Sequence, residues 1–472
     1  MSSFFRGRRR IAHEIAHRPG PAWLMAAPLL LALVCAPFPV FAKTAPATAA
    51  TAVELPSPDA KHRKAFKLVN YLVDRYHYKD QELDDAFSET VLERYLKQLD
   101  PNRSFFLQPD ITEFDKLGHH FDDYIRGAVL QPAYEIFNIY RTRVEERSNF
   151  ALQRLAQPFD FAIEERYPLD REEAPWAATE AELDDLWRRR IKNDILNLRL
   201  TGKSEKEIEK TLVRRYTHLA RRTRQLSSDD VFQIYVNAYV GAIEPHTSYF
   251  SPRATENFKI HMRLSLEGIG AVLQTDNEYT QIRSVVAGGP ADLSGELHNG
   301  DRIIGVGQDT GTIEDVIGWR LDDVVELIRG HKGTVVQLEI LPKASGLEGP
   351  SRKVSITRDE IKLEDQAAKK EIIEVETRSG KAKFGVIDLP SFYVDFDAKL
   401  DGDKDYRSTT RDVRRLLAEL QKENLDGLII DLRGNGGGAL TEAISLTGLF
   451  IRKGPVVQVQ EATGDIEVDA DP

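Results

Sequence analysis

The stretch that most constrains this chain lies near its end: Gly427-Leu428-Ile429-Ile430-Asp431-Leu432-Arg433-Gly434-Asn435-Gly436-Gly437-Gly438-Ala439-Leu440. A short apolar run ends in Asp-Leu-Arg, meets a glycine cluster and leads into an amphipathic segment, Ala439–Phe450. This pattern predicts a buried strand, a tight turn and a helix. Glycines at such a turn permit positive φ and close approach of a ligand. Free N–H groups at the turn and the helix start attract negative charge, and in acyl transfer such donors serve as an oxyanion hole. The alternative is that the glycines only close a strand–helix turn.

Upstream residues set this turn in a βαβ unit. Phe384–Leu389 is an apolar run, and Thr409–Lys422 places Val413, Leu416, Leu417 and Leu420 on one helical face. The glycine turn then falls at the carboxyl end of a strand, where open α/β sheets bind ligands. Residues 344–472 therefore read as an α/β region reached through a polar connector. A nucleotide-binding α/β protein would share the glycines, but no phosphate-loop lysine or complete dinucleotide fingerprint accompanies them. Ser445 has no lysine at a plausible spacing and reads as structural, between packed apolar neighbours.

The rest of the chain divides by period. Residues 61–261 are mostly helical, as in Leu183, Leu186, Trp187, Ile191, Ile195 and Leu198, and Ser204-Glu205-Lys206-Glu207 reads as a capping box. Arg214, Arg215, Arg221 and Arg222 read as a solvated face. Asp100-Pro101-Asn102-Arg103-Ser104-Phe105-Phe106 and Glu244-Pro245-His246-Thr247-Ser248-Tyr249-Phe250 read as two helix-ending turns with packed aromatics. From Gly268 the period shortens: Gly268–Leu273 and Thr280–Val286 predict strands, Gly288-Gly289-Pro290-Ala291 starts a short helix, and Gly300–Val306 is a turn and strand. Arg320–Ile328 predicts a helix and Thr334–Leu341 a further strand.

The N-terminus is of another kind. Arg6, Arg8, Arg9 and Arg10 precede an apolar run, Trp23–Val34, and Val40-Phe41-Ala42 resembles a cleavage site, so residues 1–42 read as a secretory signal, with an uncleaved membrane anchor as the alternative. Residues 43–60, rich in Ala, Thr and Pro, read as a linker. The one cysteine, Cys35, lies inside the signal, so the mature chain has no disulfide and no Cys-based metal site. The lone His119-His120 pair has no metal-ligand company, and no metal site is expected. A net charge of −11 argues against nucleic acid as a partner.

Asp431-Leu432-Arg433-Gly434-Asn435-Gly436-Gly437-Gly438, followed by Ala439-Leu440-Thr441-Glu442-Ala443, resembles the glycine-rich motif of the C-terminal processing, or tail-specific, serine proteases. The Glu-Pro-His-Thr segment is similar to one that precedes the PDZ domain in that family, and residues 262–343 resemble a PDZ domain. The resemblance implies a multidomain chain: an α-helical N-terminal domain, a β-rich PDZ domain and a partial α/β protease core. It implies a peptide-carboxylate nest at Gly268-Ile269-Gly270-Ala271, with Leu321 and Val325 lining an apolar pocket. It also implies oxyanion donors at Gly437 and Gly438 and a catalytic Ser-Lys dyad, which no motif in these residues supplies; the expectation is a chain that stops before the dyad and is inactive as it stands. The implied function is a serine endopeptidase that reads polypeptides with apolar free C-termini. It needs no cofactor, is exported to the periplasm, and takes peripheral membrane association or an adaptor protein as further partners. A non-catalytic PDZ adaptor with a degenerate protease fold is the alternative.

Overall fold

The computed structural model describes residues 55–309, 311–346, 349–378 and 380–471. The expected signal, 1–42, and residues 43–54 of the expected linker lie outside the described residues. The end of the linker is held in place: Asn138 Nδ2 donates to the Pro56 carbonyl at 3.2 Å, and the Ser57 N–H to Ser228 Oγ at 3.2 Å.

Nine helices follow among the described residues: α1 (Ala60–Tyr76), α2 (Asp85–Leu99), α3 (Gln108–Gly118), α4 (Phe121–Gly127), α5 (Gln131–Leu155), α6 (Glu180–Leu200), α7 (Glu205–Arg224), α8 (Ser228–Ile243) and α9 (Pro252–Arg263). They enclose two cores. Phe66, Tyr95, Phe121, Tyr134, Phe232 and Tyr235 interlock between α1, α2, α4, α5 and α8, and Trp187, Leu212 and Tyr216 join α5, α6 and α7. Each such side chain contributes roughly 1.5–3 kcal/mol by burial. The two acid-Pro segments end helices as expected. Asp100 closes α2 by accepting the N–H groups of Ser104, Phe105 and Phe106 at 2.9, 2.7 and 3.1 Å. Glu244 closes α8, accepting from Thr247 Oγ1 and from the His246 N–H at 2.8 Å. The capping reading of Ser204 also holds, with Glu207 accepting its N–H at 2.9 Å.

The second region is a sheet of order β2-β3-β4-β6-β7, with β5 on β4. Its elements are β1 (Ser265–Gly268), β2 (Ala271–Asp276), β3 (Tyr279–Val285), α10 (Pro290–Ser294), β4 (Arg302–Gln308), β5 (Glu314–Asp315), α11 (Leu321–Ile328), β6 (Val335–Leu341), β7 (Arg352–Thr357) and β8 (Asp359–Lys362). Ile269, Ile303, Val324, Ile328, Val336 and Leu338 fill its core. The structure departs from the sequence reading at two places. The expected strand Gly268–Leu273 is broken: Gly270 has φ +72°, so Gly268 ends β1, which pairs with β8, and Ala271 opens β2. The sheet also runs past residue 343, because β7 pairs with β6 from Val335↔Thr357 to Ile340↔Arg352.

In the third region β9 (Lys369–Thr377), β10 (Gly380–Asp388), α12 (Phe396–Leu400), α13 (Thr409–Leu420), β11 (Gly427–Asp431), α14 (Leu440–Thr447), β12 (Gly454–Gln460) and β13 (Ile466–Asp471) follow in order. The sheet order is β11-β10-β9; β10 is parallel to β11, from Phe384↔Gly427 to Asp388↔Asp431, and antiparallel to β9. α13 lays Val413, Leu416 and Leu420 on Ile387 and Leu389. The polar connector is thus partly strand: β9 is exposed along most of its length, so no alternating apolar signal marks it. β11, expected to be buried, lies at the edge of the sheet formed by the described residues, with Leu428 and Ile429 exposed. No helix among the described residues is long and apolar enough to cross a membrane.

Candidate functional site

The glycine turn is built from one pseudo-strand contact and two bonds of the Asn435 side chain. After β11 the chain turns back over Pro390–Tyr393, where the Phe392 N–H donates to the Gly437 carbonyl and the Ala439 N–H to the Phe392 carbonyl, each at 2.8 Å. Gly434, Gly437 and Gly438 have φ of +77°, +93° and +145°, conformations that an L side chain resists. Gly438 is required for a second reason: a Cβ there would lie 2.7 Å from the Phe392 carbonyl carbon and 2.9 Å from its Cα. Asn435 fixes the rest, its Nδ2 donating to the Leu389 carbonyl at 2.8 Å and its Oδ1 accepting the Gly437 N–H at 2.7 Å.

The two expected oxyanion donors therefore differ. The Gly437 N–H is already bonded to Asn435, whereas the Gly438 N–H has no partner among the described residues. Asn two residues before a glycine is the signature of an Asx turn, a signal that the sequence carries at Asn435 and Gly437. Asp431, at the end of β11, takes Arg433 Nε at 2.9 Å, and that guanidinium holds its carboxyl down at about 2.

Behind the turn lies a buried polar frame. The Tyr393 hydroxyl donates to Asp412 Oδ2 at 2.7 Å and accepts the Ala368 N–H at 3.2 Å; burial pushes the phenol well up. Glu442, 2% exposed in the first turn of α14, accepts the Thr410 N–H at 2.9 Å and Thr410 Oγ1 at 2.7 Å, tying α14 to α13. A buried carboxylate without such donors is costly, so these bonds fix how α14 leaves the glycine turn. Ser445, expected among packed neighbours, is on the exposed side of α14.

The expected peptide site is held by different contacts. The Ile269 side chain is buried in the sheet core, and its carbonyl accepts the Ala291 N–H at 2.8 Å, while the Val286 N–H donates to the Gly270 carbonyl at 2.8 Å. Neither the Ile269 nor the Gly270 N–H has a partner among the described residues. β2 is the outer strand of its sheet, and the alternation of an antiparallel pair turns the Ala271 N–H to that open edge. A Cβ on Gly268 would lie 3.8 Å from Cγ of Arg329, whose Nη1 donates to Asn257 Oδ1 at 2.9 Å. Burial depresses the pKa of that guanidinium, and it has no ion pair among the described residues. Leu321 and Val325 line a cleft of about 870 Å³ between α11 and α9, with Ile260 and Glu267. Residues 268–271 are outside the walls of that cleft, and those walls are largely charged and polar, with Asp229, Arg253, Glu256, Arg263 and Glu326 beside Leu321 and Val325, so the predicted set falls into a backbone nest and a separate, mixed cleft.

Three families match in chain order: the tail specific protease N-terminal domain over residues 68–253, the PDZ domain over 257–341, and peptidase family S41 over 383–471. The tail-specific protease of Haemophilus influenzae is 44% identical over 420 residues, 89% of this chain and 58% of that protein. The carboxy-terminal processing protease CtpA of Bacillus subtilis is 30% identical over 226 residues, 48% of this chain and 42% of that protein. The chain thus spans less than two thirds of the length of these relatives. Among solved structures, the PDZ domain of a carboxy-terminal protease from Vibrio cholerae, in complex with a peptide, is 61% identical over 21% of this chain and 100% of that one, with a TM-score of 0.21. The photosystem II D1 C-terminal processing protease is 18% identical over 60% of this chain and 69% of that one, with a TM-score of 0.24. A tail specific protease N-terminal domain, a PDZ domain and a peptidase family S41 stretch thus follow one another along the chain, and in that order it is similar to the C-terminal processing, or tail-specific, serine proteases.

Proposed function

We propose that the chain belongs to a serine endopeptidase that selects polypeptides by an apolar free C-terminus and cleaves them with a Ser-Lys dyad lying beyond residue 472. The observation that carries this reading is the pair of unsatisfied N–H groups at Ile269 and Gly270, beside the open edge of β2. A peptide added to that edge continues the sheet, and its carboxylate satisfies the nest. The apolar residues Leu321 and Val325 favour an apolar last side chain.

In the catalytic step a buried lysine, its pKa lowered by desolvation, takes the proton of the serine hydroxyl as Oγ bonds to the scissile carbonyl carbon. The carbonyl oxygen gains the charge, and the free Gly438 N–H donates to it. A second bond from Gly437 requires Asn435 Oδ1 to turn away, at the cost of one hydrogen bond, about 0.5–1.5 kcal/mol. That closed arrangement favours the second reading, a PDZ adaptor without catalysis. The charged n-region and apolar run support export to the periplasm, as a cleaved or membrane-anchored protein with peripheral membrane association or an adaptor as partner. A mature N-terminus upstream of residue 42 would argue against signal cleavage there.

Calorimetric titration with one peptide in acid and amide forms tests the recognition step. Amidation is expected to weaken binding by roughly 1–3 kcal/mol, the scale of a lost bond to a charged group. Equal affinity for the two forms would remove the nest assignment.

A further inference from the structure

We infer that α7 and the β2–β3 turn form an anion-reading extension of the peptide groove, a cleft that takes an acidic stretch of substrate lying upstream of the docked tail. The inference rests on the reading of Ile269–Ala271 as the carboxylate nest.

The nest sets the direction of the tail. With the carboxylate at the start of β2, the preceding residues must run back along the open edge toward Asp276. β2 has six residues. At ~3.3 Å per residue, about six tail residues cover it before the chain leaves at the Asp276–Glu278 turn. That turn faces α7. Arg214 Nη1 donates to Asn277 Oδ1 at 3.1 Å, and Arg221 Nη2 to the Asn277 carbonyl at 3.3 Å. On the other wall Gln225 Nε2 donates to the Gly318 carbonyl at 2.7 Å, and Arg320 Nη1 to the Gln225 carbonyl at 3.1 Å.

Between these contacts lies a cleft of about 1090 Å³. α7 presents Lys206, Lys210, Arg214 and Arg221 to it, and Trp319, 42% exposed, stands on the sheet side. Steps of four residues put the first three cations on one helical face. Lys206 and Lys210 make no ion pair among the described residues, and Arg214 and Arg221 use donors only on Asn277. The acids in the cleft are Glu209, Glu278 and Asp323, and Arg253 already engages Asp323 at 2.7 Å. In a chain of net charge −11 this face is cationic, and it stands where the upstream part of a docked tail emerges. The arginine run read from the sequence as a solvated face is in part a bridge from α7 to the sheet. Its neighbours Lys206 and Lys210 are left open to a ligand.

The test uses the full 472-residue chain and peptides of about 14 residues, long enough to cover β2 and reach α7. All share one apolar C-terminal six and differ upstream: acidic, neutral or basic; an amidated acidic peptide completes the set. Fluorescence anisotropy is expected to rank acidic above neutral above basic. Exposed ion pairs contribute a factor of roughly 1.5–5 each, so the acidic advantage should be about 5–20-fold and should shrink with salt. The double variant Lys206→Glu/Lys210→Glu should abolish that advantage and leave the neutral peptide unchanged, which also reports that the sheet is folded. Trp319→Ala should weaken acidic and neutral peptides alike. Equal affinity of the three free-acid peptides, with amidation still harmful, overturns the extension and leaves the nest intact. No effect of amidation overturns the nest and the extension with it. Phosphatidylglycerol vesicles that bind through Lys206 and Lys210, with no discrimination among peptides, assign this face to a membrane and overturn the proposal.

Discussion

Replacing Gly438 with alanine separates an oxyanion role from a purely structural one. The new Cβ would sit against the Phe392 carbonyl, 2.7 Å from its carbon, at a φ of +145°. The backbone strain is on the order of 1–3 kcal/mol. Relief of the clash must part the turn from Phe392, loosening two backbone bonds of 2.8 Å. At about 0.5–1.5 kcal/mol each, these bring the total to roughly 2–6 kcal/mol. The same movement displaces the free Gly438 N–H, and losing one oxyanion donor typically costs about 100–1,000-fold in turnover. Gly437→Ala is the control. No atom lies within 4 Å of its added Cβ, and its N–H is engaged by Asn435, so only the strain at φ +93° remains. That strain is on the order of 1–3 kcal/mol, with a turnover loss well below that of Gly438→Ala. The assay is turnover per folded molecule in the protease that carries the dyad, together with urea melts of both variants. Gly438→Ala enzyme with normal turnover per folded molecule and a lowered melt would reduce the glycines to turn formers. Equal turnover losses in the two variants would refute the division of roles.

Three further outcomes are expected. If the proposed Ser-Lys dyad lies beyond residue 472, the 472 residues alone should not cleave an unstructured peptide; cleavage blocked by a serine-directed inhibitor would disprove this. Tyr393→Phe leaves buried Asp412 without its phenol donor, though Arg411 Nη2 still donates to it at 2.8 Å, and should lower stability by about 1–3 kcal/mol in urea melts; an unchanged midpoint would mean the frame behind the glycine turn contributes nothing. Glu244 is held at about 2, first by the Thr247 hydroxyl, against an ordinary 4.5, so its contribution is present above pH 4.5 and is lost as pH falls toward 2. Glu244→Gln should therefore be destabilising near neutrality and converge on the wild type in acid, and parallel stability curves over that window would contradict the assignment.

The sequence by itself determined the order of the three regions, the glycine turn and its place after a strand. These are local properties: periodicity, caps and the conformations only glycine adopts are written in neighbouring residues. It also sufficed for the acid-Pro turns, where Asp100 and Glu244 bond to N–H groups a few residues on. Tertiary structure decided which polar groups are left free. Asn435 takes the Gly437 N–H because Leu389, 46 residues away, orients its amide, and Gly438 is sterically required by the Phe392 carbonyl across the turn. β9 escaped notice because exposed faces carry no apolar alternation, and β11 looked buried because its composition is that of a core strand while its position in the described sheet is an edge. α7 reads as solvated in isolation, yet Arg214 meets Asn277 at a separation of 63 residues. A contact that distant depends on how separate elements pack, and no window of sequence contains both partners.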